Sequence, residues 1–420
     1  MSEWINASAA KLFRKTLEGL QGGSLELISG GVTERYGDET AGLHATLVIH
    51  HDRFYQRALT GGDVGLGEAY MDGDWSSPDL VAVVRLAVRN LDRLEQTNGL
   101  LSTVNGAVER IRHALRANTL AGSRRNIGAH YDLSNDFFRL FLDRSMMYSC
   151  AWYESADDSL ETAQFQKLDR ICRMLDLRPG DHVLEIGTGW GAFSLHAVNN
   201  YGCRVTTTTI SRQQHDYARD WFEREGAAGS IDLLFEDYRN LKGTFDKIVS
   251  IEMFEAVGFD FYDEYFGACD RLLNANGAMV LQTITMNDRK FPAYRRQVDW
   301  IQKYIFPGSE LASLSGILAC LARQTRLTPF HLDDMGRHYA LTLAAWRERF
   351  HASIDRVREL GFDKRFCRMW DYYFAYCQGA FEERHISDVQ LMLAKTSCSR
   401  PLFQENPSGQ LSLVSPSRDG

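Results

Sequence analysis

Ten residues, "LEIGTGWGAF" (184–193), place glycines at alternate positions directly after a short apolar run. A glycine-rich turn at the carboxyl end of a strand lets a ligand approach the backbone at the N-terminus of the next helix. Gly187, Gly189 and Gly191 have the positions that such a turn needs. We therefore predict a cofactor-binding loop here.

The spacing of these glycines and the acid before them restrict the choice of cofactor. The pattern E-x-G-x-G-x-G differs from the G-x-G-x-x-G of dinucleotide sites, and no Lys-Ser/Thr pair follows it as in a P-loop. Glu185 would repel a pyrophosphate, whereas it suits a cationic ligand. S-adenosylmethionine carries both an ammonium and a sulfonium, so the loop favours this cofactor. Alternatively, Glu185 is a strand-end carboxylate without a ligand.

Helices and strands alternate from residue 163 onward, which is typical of a doubly wound, mostly parallel α/β sheet. The predicted helices are 163–176, 191–201, 212–225 and 261–273, and the predicted strands are 182–188, 203–210, 231–237, 246–251, 278–284 and 388–397. With the cofactor above, this pattern predicts a class I methyltransferase fold. The second strand ends in "TTTTISRQQ" (206–214) without an acid, so Thr209, Ser211 or Gln214 would hydrogen-bond the ribose.

The remaining segments suggest further domains. Residues 1–125 predict a small α+β domain with a linker helix, with a strand-like run at 43–51 and a tight turn entering a short helix within 61–75. Residues 126–400 would form the methyltransferase domain, with a helical insertion at about 289–380 as a lid over the sheet edge. Residues 401–420 predict a flexible tail.

Composition excludes several classes of protein. Among 420 residues, 47 Lys and Arg stand against 55 Asp and Glu, and the formal charge of −8 argues against general affinity for nucleic acid or anionic lipid, although a local basic patch could still act. The eight scattered cysteines include no C-x-x-C pair, which indicates reduced thiols and no metal cluster. Since the start lacks signal-peptide features and no apolar run reaches ~18–20 residues, we expect a cytoplasmic protein.

Several long stretches together carry a family resemblance. They are "GLGEAYMDGDW" (65–75), "GAHYDLSNDFFRLFLDRSMMYSCAWY" (128–153), "EDYRNL" (236–241), "IEMFEAVG" (251–258) and "WIQKYIFPG" (300–308). From about Gly61 to Thr396 the chain resembles the cyclopropane fatty acyl phospholipid synthase family. The resemblance implies methyl transfer from S-adenosylmethionine to a cis double bond of an unsaturated phospholipid in the membrane, followed by proton loss that closes a cyclopropane. It also implies a homodimer in peripheral contact with the inner membrane face.

The resemblance also implies a set of cofactor contacts. Tyr131 and Ser149 would lie beside the methionine end of the cofactor, above the three loop glycines. Thr209 and Gln214 would contact the ribose and amino-acid parts, and Glu236 and Asp237 would flank the adenine.

The proton acceptor implied by the resemblance is a bound bicarbonate. Its holders would be Cys150, Glu255, the backbone of Ile284, and Tyr339. The family has a histidine where this chain has Gln282, in "LQTIT". An amide donates and accepts hydrogen bonds but carries no charge, so Gln282 puts bicarbonate binding in doubt.

Three other functions remain open at this point. A weakened anion site would let a different proton leave, giving methylene- or methyl-branched chains without ring closure. A small-molecule methyltransferase and a lipid-binding protein without activity are the other two.

Aromatic residues near these motifs would either stabilise a cation or simply pack, and they are Tyr148, Trp152, Tyr153, Trp300, Tyr304 and Phe306. Basic residues at 110–125 and 290–296 are the predicted membrane contacts.

Overall fold

The computed structural model describes residues 2–94 and 133–398, together with the backbone of 403–405 and 411–413. These residues divide into two compact units. The first contains the described residues up to 94, Lys290–Pro307 and Leu343–Ile386, and the second contains 133–289, Gly308–Thr342 and the residues from Ser387 onward. The predicted domain boundary at 125/126 lies outside the described residues and stays a prediction.

The elements are numbered in chain order over the described residues. The helices are α1 (Ser2–Leu17), α2 (Arg53–Met71), α3 (Leu80–Arg89), α4 (Asn135–Phe138), α5 (Leu160–Met174), α6 (Ala192–Tyr201), α7 (Arg212–Arg224), α8 (Tyr262–Leu272), α9 (Phe291–Tyr294), α10 (Trp300–Tyr304), α11 (Leu314–Gln324), α12 (Gly336–Ala352), α13 (Ile354–Glu359) and α14 (Lys364–Glu382). The strands are β1 (Ser24–Ser29), β2 (Val32–Gly37), β3 (His44–Ile49), β4 (Trp75–Ser76), β5 (His182–Ile186), β6 (Arg204–Thr208), β7 (Ile231–Leu234), β8 (Phe245–Ile251), β9 (Leu273–Met286), β10 (Ala312–Ser313), β11 (Leu327–Asp334), β12 (Ile386–Lys395), β13 (Phe403–Glu405) and β14 (Leu411–Leu413).

The first unit contains a small sheet with the order β2-β1-β3-β4. Strand β3 confirms the strand predicted at 43–51. The turn entering a short helix predicted within 61–75 is confirmed, because non-helical backbone at Gly62, where φ is 56°, breaks α2 and a short helical segment then runs to Met71. Only glycine adopts this backbone cheaply. Further along α2, a Cβ on Gly67 would lie 2.4 Å from Cδ1 of Trp300, so this glycine permits close packing.

The predicted lid does not form one compact unit. Residues 290–307 and 343–386 belong to the first unit, and 308–342 to the second. Helix α12 therefore contributes residues to both units. The position of this insertion over the sheet edge stays a prediction.

The large sheet of the second unit has the order β11-β12-β9-β8-β5-β6-β7, with β10 paired to β9. Strands β9, β8, β5, β6 and β7 are mutually parallel neighbours, which confirms the doubly wound architecture. The strand predicted at 388–397 is β12, but it does not close the sheet. Strand β11 pairs antiparallel with β12 on its outer side. The direction of chain progress reverses between β5 and β8, and sheets of this kind bind ligands at the carboxyl ends of the strands at such a point.

Both faces of this sheet are covered by apolar side chains. Val183 belongs to a buried cluster that includes Phe193 of α6 and Phe222 of α7. Its neighbour Leu184 belongs to the cluster on the other face, which includes Phe266 of α8. Successive strand residues point to opposite faces, so a strand buried on both sides reads as an apolar run.

Two smaller observations concern the chain ends and the membrane. Strands β13 and β14 pair antiparallel within residues 401–420. The flexibility of this tail stays a prediction. Over the residues that the structure describes, no helix combines the length and apolar character that crossing a bilayer needs.

Candidate active site

The glycine loop follows β5 at the crevice beside the switch point. Gly187, Gly189 and Gly191 have φ values of 100°, 53° and 103°, in the left-handed region that favours glycine. A Cβ on Gly187 would lie 3.0 Å from the side chain of Met253, so the loop touches the turn that follows β8. At Gly189 a Cβ would meet nothing within 4 Å. The loop therefore combines a fixed backbone with open space for a ligand.

The acid before the loop has an internal role. Glu185 is 3% exposed, and its Oε2 accepts hydrogen bonds of 2.6 Å from the hydroxyls of both Ser194 and Thr207. Burial raises the pKa of Glu185 to about 7. The carboxylate thus ties β5 to α6 and β6, as in the alternative interpretation. A direct contact between Glu185 and a cofactor stays a prediction.

Two other predicted cofactor residues meet at the end of β6. The Thr209 hydroxyl donates to Oε1 of Gln214 across 2.9 Å, and both residues are buried. Ser211 caps α7 by accepting from the Gln214 backbone N–H. The pair lies at the carboxyl edge of the sheet, where ligands of such sheets bind.

The predicted adenine neighbours differ in their surroundings. Glu236 is exposed, and its carbonyl accepts from the hydroxyl of Thr208. Asp237 is 3% exposed and binds the Arg239 guanidinium with both carboxylate oxygens, each at 2.8 Å. Asp237 therefore holds its own turn in shape, and the contact of either acid with adenine stays a prediction.

Ser149 accepts from a buried lysine, whereas Tyr131 lies outside the described residues. The Lys167 Nζ lies 2.7 Å from the Ser149 hydroxyl. Burial lowers the pKa of Lys167 to about 8, against the opposing effect of Glu252. This lysine, which the sequence pattern does not indicate, places a positive charge near the acids described next.

Glu252 brings together two of the residues predicted to hold bicarbonate, Cys150 and Tyr339, with the Gln282 amide. Its Oε1 accepts from the Cys150 backbone N–H at 2.7 Å and from the Gln282 side-chain amide at 2.8 Å. Its Oε2 accepts from the Tyr339 hydroxyl at 2.7 Å. Glu252 is not among the residues predicted from the sequence, although its place directly after β8 is where ligand contacts gather.

Glu255 lies one turn further on, within the short 3-10 helix Phe254–Ala256. Its Oε1 accepts from the Thr283 hydroxyl at 2.9 Å and from the Ile284 backbone N–H at 2.5 Å. Its Oε2 is buried and has no hydrogen-bond partner among the described residues. Burial, reinforced by the charge of Glu252, raises the pKa of Glu255 to about 7.

Gln282 joins Glu252 to a further acid on β12. Its Nε2 lies 3.0 Å from Oδ2 of Asp388, and its Oε1 accepts from Gln390 at 3.0 Å. Burial, followed by the charges of Glu252 and Glu255, raises the pKa of Asp388 well above its usual range. Neither β12 residue is predicted from the sequence, since nothing in "DVQLMLAK" marks them as different from core positions.

These contacts test whether the residues present fit a bound bicarbonate. A bicarbonate oxygen would need the hydrogen-bond donors of Cys150, Gln282 and Tyr339, which already contact Glu252. The Ile284 N–H contacts Glu255 in the same way. A second anion here would also face buried acids, which is unfavourable. The arrangement does not fit bicarbonate.

The Cys150 thiol is not an activated nucleophile. Its Sγ donates to the Ala151 carbonyl across 3.2 Å. Burial raises its pKa well above the usual range, so the thiolate is suppressed.

The aromatic residues singled out in the sequence have packing contacts. The Trp152 ring stacks on the His338 ring at 4.3 Å between centroids. The Arg170 guanidinium lies 3.9 Å from the centroid of the Trp152 ring. In the first unit, Trp300 is fully buried against Tyr372. Packing rings are also found at Tyr148, Tyr153, Tyr304 and Phe306. A role in stabilising a cation stays a prediction.

Comparison with known proteins agrees with this architecture. A family model described as mycolic acid cyclopropane synthetase matches residues 119–391. The chain is 36% identical over 398 residues to tuberculostearic acid methyltransferase UfaA1 of Mycobacterium tuberculosis, covering 93% of this chain and 91% of that protein. It is 37% identical over 356 residues to cyclopropane-fatty-acyl-phospholipid synthase of Escherichia coli K12, covering 84% and 88%.

A solved structure of mycolic acid cyclopropane synthase CmaA1, complexed with SAH and CTAB, matches with a TM-score of 0.60 and 31% identity. The match covers 65% of this chain and 98% of that chain. The predicted class I methyltransferase fold is confirmed.

Proposed function

Because the chain belongs to the mycolic acid cyclopropane synthetase family, we propose that it transfers the methyl group of S-adenosylmethionine to a cis double bond of an unsaturated phospholipid acyl chain. The observation that carries this proposal is the contact between the glycine loop and the turn after β8. Met253, whose side chain would meet a Cβ on Gly187, lies between the acids Glu252 and Glu255. One crevice thus contains both the cofactor loop and groups that accept protons.

The chemistry of an unactivated alkene explains why both parts are needed. S-adenosylmethionine, when bound, supplies an electrophilic methyl group. The π electrons of the double bond form the new C–C bond, the sulfur leaves with the electrons of the broken bond, and a carbocation remains on the acyl chain. Water must be excluded, and a nearby base must remove a proton. The buried acids at the end of β8 suit that second requirement.

We propose a cyclopropane as the first product. It forms when the proton leaves the added methyl group and the electrons of that C–H bond close the ring. A methylene- or methyl-branched chain is the second candidate, and Gln282 favours it, because a neutral amide changes the anion site that the family resemblance implies. The names of the two relatives above, one a methyltransferase and one a cyclopropane synthase, support keeping both products.

Incubation with methyl-labelled S-adenosylmethionine and vesicles tests the proposal. Vesicles of a cis-monounsaturated phospholipid should gain label in their acyl chains, and vesicles with saturated chains serve as the control. A ring and an exocyclic methylene have the same mass, so proton NMR of the released chains must distinguish them. Absence of label from unsaturated chains, with turnover of a soluble acceptor, would favour a small-molecule methyltransferase instead.

We also propose that the protein reaches its substrate as a peripheral protein on the inner membrane face and acts as a homodimer. The predicted contact at 110–125 lies outside the described residues. In the second predicted region Lys290 contacts Asp92 across 2.7 Å, whereas Arg295 and Arg296 are exposed. Charge reversal at Arg295 and Arg296 should reduce sedimentation with anionic vesicles. Unchanged sedimentation would contradict this contact.

A further inference from the structure

The hydrogen-bond donors around Glu252 form an anion site that the chain fills itself. We propose that the Glu252 carboxylate replaces bicarbonate as the proton-accepting anion, so that the enzyme works without bicarbonate. This inference rests on the proposed methyl transfer to an acyl chain. It names the group that accepts the proton.

The geometry of the donors carries the argument. A carboxylate and a bicarbonate each present two oxygens on one planar carbon. The Cys150 N–H and the Gln282 amide reach one oxygen of Glu252, at 2.7 and 2.8 Å, and the Tyr339 hydroxyl reaches the other at 2.7 Å. Hydrogen bonds to an ionised acceptor are the stronger class, and these three converge on a single group.

The backbone at Glu252 supports the same conclusion. Its φ of 47° lies in the left-handed region, which is uncommon for residues other than glycine. The Glu252 N–H donates to the Gln282 carbonyl across 2.8 Å, which helps to hold this conformation. A strained conformation that directs a side chain onto three donors is typical of a functional position.

The charges and hydrogen bonds around the three buried acids indicate which acid stays ionised. Burial raises the pKa of Glu252, Glu255 and Asp388, and the charge of one buried lysine, Lys167, opposes this rise at Glu252 and Asp388. The Cys150 thiol and the Tyr339 hydroxyl are the other titratable groups facing Glu252. Glu255 Oε2 and Asp388 Oδ1 have no partner among the described residues, whereas both oxygens of Glu252 accept hydrogen bonds. Glu252 is therefore the acid best stabilised as an anion.

The proposed step is balanced within this site. A C–H bond of the methylated carbocation breaks, its electron pair forms the last carbon–carbon bond of the product, and the proton passes to a Glu252 oxygen. The Glu252 oxygen that takes the proton gives up a hydrogen bond as it turns toward the acyl chain. The donors on the other oxygen still hold the carboxylate in place. No additional reactant is required.

The test compares wild type with Glu252→Gly and Glu252→Gln in buffer freed of carbon dioxide, with and without added bicarbonate. Wild type should show the same rate of lipid methylation in both buffers. Glu252→Gly should lose at least ~10-fold without bicarbonate and regain activity with bicarbonate or formate, because glycine suits the backbone and vacates the anion site. Glu252→Gln is the matched control, since its amide keeps the volume, loses the charge and should not be rescued.

A second measurement does not depend on the lipid reaction. Thermal unfolding with bicarbonate or formate should show stabilisation of Glu252→Gly and none of wild type, and cofactor binding by calorimetry checks that the variants are folded. Wild type stimulated more than ~3-fold by bicarbonate, or a Glu252→Gly variant that binds no anion, overturns the inference. If wild type methylates no lipid, the proposed function fails while the anion-binding result still tests the assignment of this site.

Discussion

Tyr339 donates its hydroxyl to Oε2 of Glu252 across 2.7 Å, although the two residues are 87 positions apart. Tyr339 lies on α12 and Glu252 directly follows β8. This hydrogen bond favours the charged form of the carboxylate and so lowers its pKa against the effect of burial. The ionisation of Glu252 therefore depends on a residue that the glycine loop and its strand do not contain.

Tyr339→Phe should lower kcat by ~10-fold and move the acidic limb of the pH–rate profile to higher pH. Without the donor, the pKa of Glu252 rises, so the ionised form is lost at a higher pH than in wild type. The pH dependence of kcat checks this. Tyr201→Phe is the matched control, because it removes a 2.6 Å hydrogen bond to a carboxylate, Asp169, away from the glycine loop. An unchanged limb in Tyr339→Phe would contradict the prediction.

Glu185→Gln should reduce the pH dependence of stability. Burial raises the Glu185 pKa from 4.5 to about 7, so its contribution to folding is full below pH 4.5 and is lost as pH rises through 7. The free energy of unfolding of wild type should fall relative to the variant by up to about 3 kcal/mol between pH 4.5 and 8. Urea titrations at the two pH values measure it. Glu223→Gln, at an exposed position, is the control and should show the same pH dependence of the free energy of unfolding as wild type. The same pH dependence in Glu185→Gln and wild type would contradict the prediction.

Gly189→Ala should weaken cofactor binding while it lowers the stability of the fold no more than Gly226→Ala does. A Cβ would enter open space at Gly189 and also at Gly226, and both residues have positive φ, 53° and 68°. Each alanine should therefore cost about 1–2 kcal/mol through backbone strain. Only the loop variant should bind S-adenosylmethionine less tightly in calorimetry, by ~10-fold or more. Equal affinities in the two variants would remove the loop from the cofactor site.

Gln282→His should lower the rate and raise the share of ring product over branched product. A neutral imidazole has one donor, so it cannot supply both Glu252 and Asp388, which the Gln282 amide reaches at 2.8 and 3.0 Å. Proton NMR of the lipid product measures the ratio. Gln282→Asn retains an amide and serves as the comparison. The same product ratio in wild type and Gln282→His would show that this position does not select the product.

The central strands could be predicted because their surroundings are uniform. Strand β5 is buried on both faces, so Val183 and Leu184 appear in sequence as one apolar run between turn residues. Strand β11 gives no such signal. Leu327 is buried, but Pro329, Phe330 and Leu332 are exposed on a strand at the sheet edge. Its existence depends on pairing with β12, which local sequence does not encode.

The same difference between local and distant contacts determines which parts of the candidate site could be predicted. The glycine loop is a local feature, and its backbone requirements are visible in the spacing of Gly187, Gly189 and Gly191. The environment of Glu252 is not local, because its donors Cys150 and Gln282 come from positions 102 and 30 residues away. Family resemblance located those donors but assigned them to bicarbonate. Only the three-dimensional arrangement shows that a side chain of this protein contacts them.

The left-handed backbone at Glu252 has an evolutionary consequence. Glycine adopts a φ of 47° more readily than glutamate does, so exchange between them need not disturb the fold. A change at the middle base alone converts either glutamate codon into a glycine codon. Under the proposed role of Glu252, a single nucleotide change would convert a chain that carries its own anion into one that depends on dissolved bicarbonate.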